Sequence, residues 1–174
     1  KDVMFGPLNF KKTPEEAKEL AIKALEMVNI EPELYDQSPL ELSGGQKRRV
    51  AIAGILALNP DILVCDEPTA GLDPKGREEI LNMIRDLHKK MKCTIILVSH
   101  SMDDVADYAE RIIVMNHGEV FLDGTPKEVF SHKQELEEIG LAVPTVTEIM
   151  HQVKELGYPV DESVTTLSDA AESL

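Results

Sequence analysis

Two short apolar runs, Ile62-Leu63-Val64-Cys65 and Thr94-Ile95-Ile96-Leu97-Val98, each stop at polar residues, Asp66-Glu67-Pro68 and Ser99-His100. Continuous apolar runs of this length suit strands buried on both faces of a parallel sheet. Between them Ile80, Ile84, Leu87 and Met91 recur at helical steps and predict a helix from about Lys75 with an apolar inner face. Strand, helix, strand at this spacing is a βαβ unit, which commits the chain to the α/β class. Asp66-Glu67 and His100 then occupy equivalent places, at the C-terminal ends of neighbouring parallel strands, where open α/β sheets put their ligands.

The flanking segments read as helices with definite starts. Thr13-Pro14-Glu15-Glu16 supplies an N-cap, a proline in the first helical position and a glutamate three residues after the cap. Ala17, Leu20, Ala21, Ala24, Leu25 and Val28 follow on one face, predicting a helix over 13–29. Ser43-Gly44-Gly45-Gln46 is a second such cap, feeding an apolar run over 50–58. Ser101 and Asp104 open a helix carrying Val105, Tyr108 and Ala109. The runs 112–115 and 119–122 flank Asn116-His117-Gly118 and read as a hairpin. Beyond Thr125 the chain is strongly acidic, with caps expected at Thr125-Pro126-Lys127-Glu128 and Thr145-Val146-Thr147-Glu148; it reads as a helical tail whose acidic faces are mostly solvated. Residues 1–10 are expected to be loop and strand from the interior of a domain. Three regions result: a helical segment over 1–60, an α/β core over 61–124 and an acidic helical region over 125–174.

Charge narrows the function classes. Eighteen basic against 32 acidic residues gives 18 − 32 = −14, which argues against nucleic acid or an anionic membrane surface as partner, since both need clustered positive charge. A hydrophobic content of 43% rules out wholesale disorder. Cys65 and Cys93 each sit in apolar surroundings and read as buried thiols of a reducing compartment.

Five elements carry chemistry. Leu42-Ser43-Gly44-Gly45-Gln46 puts two glycines at a helix N-terminus, where unpaired N–H groups and the helix dipole favour a phosphate and no Cβ obstructs it. An ordinary serine-capped helix would look the same in isolation. At the end of the first strand Asp66 is poised to hold magnesium and Glu67 to polarise an attacking water; the bland alternative is a pair of solvated loop carboxylates. Gly71-Leu72-Asp73-Pro74 alone would be a turn with Asp73 as a helix cap, and a lone histidine at the position of His100 is more often structural than catalytic.

Taken in order, LSGGQ, the apolar strand closing in Asp-Glu, G-L-D and S-H resemble the ATP-binding-cassette (ABC) family of ATPases, over residues 3–124. The resemblance implies a P-loop NTPase-type, RecA-like parallel sheet, incomplete in this chain, with an ABC helical subdomain and a helical C-terminal tail. It implies ATP and Mg²⁺ as cofactors. By it Glu67 is the catalytic base, His100 contacts the γ-phosphate and Asp66 is the Mg²⁺ carboxylate. Ser43, Gly44, Gly45 and Gln46 form the signature that closes over nucleotide held by a second subunit, and Asp73 is the D-loop residue at the dimer interface. One departure is plain: the phosphate-loop pattern G-x-x-x-x-G-K-S/T is absent, as is the Q-loop glutamine. Both are expected upstream of Lys1 in a longer ATPase, so the chain alone is expected to be inactive.

Phe5-Gly6-Pro7-Leu8-Asn9, Ser38-Pro39-Leu40-Glu41-Leu42-Ser43, the stretch 66–74 and the tail around Gly140-Leu141-Ala142-Val143-Pro144 resemble energy-coupling factor importers in particular. That implies uptake of a vitamin or metal ion, a second ATPase subunit as homo- or heterodimer partner, transmembrane transporter subunits, and a peripheral place on the cytoplasmic face of the membrane. The competing readings are an ABC ATPase of another importer class, a DNA-maintenance or translation ABC protein, and a non-catalytic binding module. The acidic charge and the uninterrupted helix before the signature disfavour the second, and the presence of both Glu67 and His100 disfavours the third.

Overall fold

The computed structural model describes residues 1–173, which divide into two compact units, Lys1–Val98 and a second beginning at Ser99. The first unit runs α1 (Phe5–Asn9), α2 (Pro14–Met27), α3 (Gly44–Leu56), β1 (Ile62–Asp66), α4 (Pro74–Met91) and β2 (Thr94–Val98). Helix α2 begins where its capping box dictates. The Glu16 N–H donates to Thr13 Oγ1 at 3.2 Å and the Thr13 N–H donates to Glu16 Oε2 at 2.9 Å. Ala21, Ala24 and Leu25 of α2 pack with Ile52, Ala53 and Leu56 of α3, Leu63 and Cys65 of β1, and Ile80, Met83, Ile84 and Leu87 of α4 into one core. The expected βαβ unit is present: β1 and β2 pair in parallel, with Ile62 opposite Thr94 and Asp66 opposite Val98.

Two expectations for this unit are corrected. Residues 1–10 are helical, a 3₁₀ turn over Asp2–Met4 leading into α1. Val3 and Pro7 are buried, so tertiary packing of two side chains overrides the weak local signal of this stretch. Nor are the strands buried on both faces. Leu63 and Cys65 face the helices, while Ile62 and Val64 are 57% and 59% exposed and Ile96 and Val98 stand open beside them. Helices cover only one side of this two-stranded sheet, and an apolar run cannot report on its own which face has a neighbour.

The second unit holds α5 (Met102–Tyr108), β3 (Ile112–Asn116), β4 (Glu119–Gly124), α6 (Pro126–Phe130), α7 (Lys133–Glu138), α8 (Thr145–Glu155) and α9 (Leu167–Ser173). Strands β3 and β4 pair antiparallel around His117-Gly118, where φ values of +49° and +82° suit a tight two-residue hairpin turn. Arg111 closes the open end of the ribbon with two bonds to Asp123, 2.8 and 2.6 Å. Ala109 lies just beyond α5 and not within it. Val129, Phe130 and Leu136 bury themselves against Ala106, Ile112, Val114 and Val143, giving this unit its own core. The capping box at Thr125 and Glu128 forms as expected. The one expected at Thr145 does not: α8 has Pro144 as its N-cap residue and no side-chain cap of its own, because Thr145 is already the first helical residue. Among the described residues no helix is long and apolar enough to cross a membrane.

Candidate functional site

The start of α3 is fixed by Ser43. Its Oγ accepts the Gln46 N–H at 3.2 Å, and Gln46 Oε1 accepts the Ser43 N–H at 2.9 Å. This reciprocal pair leaves the N–H groups of Gly44 and Gly45 as first-turn donors with no acceptor inside the helix. Neither glycine is needed for folding. Neither has a positive φ; a Cβ on Gly45 would meet nothing within 4 Å, and one on Gly44 would meet only Leu72 Cδ2 at 3.8 Å. Glycine is a poorer helix former than alanine, and nothing in the packing around these two positions calls for it. A bare, positively polarised helix end with open space above it is what close approach of a phosphate requires.

The carboxylates stand at the end of β1. Asp66 is its last residue, exposed and opposite Val98. Glu67 follows with φ +44°, a left-handed conformation that costs a non-glycine residue roughly 1–2 kcal/mol. The other non-glycine residues with positive φ, namely Lys11, Asn29, Asn59, Lys92 and His117, follow helices or occupy the hairpin turn. Glu67 is different in kind, since it sits at a strand end. Two backbone bonds hold it there: its N–H donates to the Val98 carbonyl at 2.9 Å and its carbonyl accepts the Ala70 N–H at 3.1 Å. Backbone strain of this kind, over-determined by its surroundings, clusters at functional positions. The sequence offers no signal for it, because glutamate has no left-handed preference.

Asp73 caps α4, its Oδ1 accepting the Gly76 N–H at 3.3 Å. A Cβ at Gly76 would fall 2.8 Å from the same oxygen, so a larger residue there would require the Asp73 carboxylate to shift. The loop between Glu67 and Asp73 is also tied to α3, since Arg48 donates to the Ala70 carbonyl at 3.1 Å. Sequence alone does not point to Arg48, because an arginine on a solvated helix face carries no local signature. Ser43, Gly44, Gly45, Gln46, Asp66, Glu67 and Asp73 thus all belong to the first unit, and the signature helix and the acidic strand end share a bonded loop. His100 belongs to the second unit. It lies between Ser99 and Ser101, and the Ser101 N–H donates to Ser99 Oγ at 3.1 Å while Ser101 Oγ accepts the Asp104 N–H at 3.3 Å.

The residues fit the groups that the resemblance implies. Magnesium on nucleotides is commonly held by one or two carboxylates together with the phosphates, and Asp66, exposed at the end of β1, offers one such carboxylate. Cys65, next to it in sequence, points into the core, and burial pushes its thiol above the ordinary range, so it is no nucleophile.

The chain is similar to known proteins over its whole length. Residues 6–70 match the family model described as ABC transporter. The chain is 54% identical over 174 residues to the energy-coupling factor transporter ATP-binding protein EcfA2 of Caldanaerobacter subterraneus subsp. tengcongensis, covering 100% of this chain and 61% of that protein. It is 54% identical over 175 residues to the protein of the same name from Clostridium perfringens, with the same coverage. The chain therefore spans about three fifths of the length of these relatives. Among solved structures, cbiO1 from Clostridium perfringens, described as part of the ABC transporter complex cbiONQ, superposes with a TM-score of 0.69 at 39% identity, covering 87% of this chain and 59% of that one. A dimeric post-hydrolysis state of the ATP-binding cassette MJ0796, bound to ADP and Pi, gives a TM-score of 0.58 at 36% identity over 71% of this chain and 54% of that one. The motifs, the βαβ core beneath them and these likenesses converge: over its whole length the chain is similar to the ATP-binding proteins of ABC transporters.

Proposed function

We propose that this chain supplies the hydrolysing and dimer-facing groups of an importer ATPase, in which ATP binding and hydrolysis drive uptake of a vitamin or metal ion through membrane partners. The observation that carries the reading is the Asp66-Glu67 pair at the end of β1, with the Glu67 backbone held in a strained conformation by Val98 and Ala70. The names of the energy-coupling factor relatives support the importer class.

Glu67 is the general base, taking a proton from the water that attacks the γ-phosphorus. His100 contacts the γ-phosphate. Asp66 would hold Mg²⁺, which when bound would neutralise charge on the phosphates. Ser43, Gly44, Gly45 and Gln46 present a helix N-terminus to nucleotide carried by a second ATPase subunit, and Asp73 lies at that subunit boundary while keeping its capping bond to Gly76. The ATPase subunit works at the cytoplasmic face of the membrane, attached to transmembrane partners. The 174 residues contain no G-x-x-x-x-G-K-S/T sequence, so the triphosphate clamp comes from residues other than these and the 174-residue chain alone does not turn over ATP.

The test is Glu67→Gln in the dimeric ATPase. Loss of a general base lowers the rate by about 10²–10⁴ while nucleotide stays bound in a closed dimer. Hydrolysis at the parental rate would assign the base to another residue.

A further inference from the structure

Asp103 stands on the first turn of α5, three residues after His100, and directs both carboxylate oxygens at a single residue far away in sequence. Oδ1 accepts the Thr145 N–H at 2.8 Å and Oδ2 accepts the Thr145 hydroxyl at 3.0 Å. Thr145 is the first residue of α8, whose N-cap position is held by Pro144. Proline has no side-chain acceptor, so the cap for α8 arrives from another element, and it arrives charged. Such charge-assisted bonds are shorter and stronger than neutral ones.

The same two segments meet beneath this pair. Met102 and Val105 of α5 pack in one cluster with Leu141 and Val143, just before Thr145. On its far side α8 is fastened again, where the buried Thr147 hydroxyl donates to the Val164 carbonyl at 2.8 Å. At the near end, His100 lies between Ser99 and Ser101, which bond to each other and, through Ser101 Oγ, to the Asp104 N–H. The histidine is therefore held by a turn that is continuous with the first turn of α5. A displacement of that turn passes to His100 with little slack.

We propose that Asp103 is a positioning residue for His100: by its two bonds to Thr145 it makes the start of α8 the anchor of the α5 turn that carries the histidine. The C-terminal helical region then belongs to the machinery of the site, and any partner that moves α8 moves His100. The catalytic meaning of this coupling rests on the reading of His100 given above; the coupling itself does not.

The test uses the 174-residue chain with isotope-labelled histidine, reading the imidazole NMR signals without nucleotide. The chain has five histidines, and His100→Gln identifies the signal of interest. Thr145→Pro removes both donors with no change of charge, and proline is well accepted in the first helical position, here after an extended Pro144. Thr145→Val removes the hydroxyl alone, and Thr145→Ser retains both donors. The His100 signal moves by more than its linewidth in Thr145→Pro and less, in the same direction, in Thr145→Val. It returns to the parental position in Thr145→Ser, and the His117 signal from the hairpin turn stays put throughout. An unmoved His100 signal in Thr145→Pro and Thr145→Val overturns the proposal. So does equal movement of His117, which reports general loss of packing. A His100 that proved dispensable for hydrolysis would instead remove the functional reading and leave the measured coupling standing.

Discussion

Arg48 and Ala70 are joined across 22 residues, the guanidinium Nη2 donating to the Ala70 carbonyl at 3.1 Å. This bond links the signature helix to the loop that leaves Glu67, and the Ala70 N–H in turn donates to the Glu67 carbonyl. Arg48→Ala should therefore cost little global stability, at most about 1 kcal/mol for one exposed hydrogen bond, but loosen the 67–72 loop selectively. Amide exchange at Ala70 and Leu72 is expected to speed up while exchange within α4 is unchanged. Uniform acceleration would show that Arg48 supports the fold and not the loop.

Gly45→Ala separates folding from function. The added methyl meets no atom within 4 Å and the helix gains at most about 1 kcal/mol, so the melting temperature of the 174-residue chain should hold or rise. Hydrolysis by the dimeric ATPase should fall, because the methyl occupies the space through which a phosphate would approach. A variant that is both more stable and fully active would mean that no ligand comes near this helix end.

Tyr35 Oη is buried without a hydrogen-bond partner among the described residues, and burial together with Glu26 and Glu33 raises its phenol above the ordinary value. An unpartnered buried hydroxyl costs about 1–3 kcal/mol. Tyr35→Phe removes it while keeping the ring, so denaturant unfolding should show equal or greater stability. A loss of 1 kcal/mol or more by that general scale would reveal a bonded water at the hydroxyl.

Asp107 on α5 is pushed to a raised pKa, first by burial and then by Asp103, Asp104 and Asp169. The sign follows directly. The native state holds this proton more tightly than the unfolded chain, so its contribution is fully present below the unfolded value of about 3.9 and is lost as pH rises through the native value. At neutral pH the ionised Asp107 burdens the fold, and Asp107→Asn should raise the melting temperature at pH 7 with little gain at pH 4. An equal gain at both values would point to packing and not charge.

Much of this protein is legible in the order of its residues because the relevant physics is local. The caps at Thr13, Ser43 and Thr125 each need only residues three apart, and all three form as read. So do the βαβ spacing and the hairpin, whose signals lie within a few residues of each turn. The motifs from Ser43 to His100 likewise show themselves by type and order alone. What the tertiary structure decided depends on contacts between distant segments. Whether Ile62 and Val64 are covered depends on what lies over that face of the sheet, which no run of apolar residues encodes. The helical state of residues 1–10 follows from burying Val3 and Pro7. Glu67 takes its left-handed backbone because Val98 and Ala70 hold it there, and α8 takes its cap from Asp103, 42 residues away, because packing around Leu141 and Val143 brings the two together.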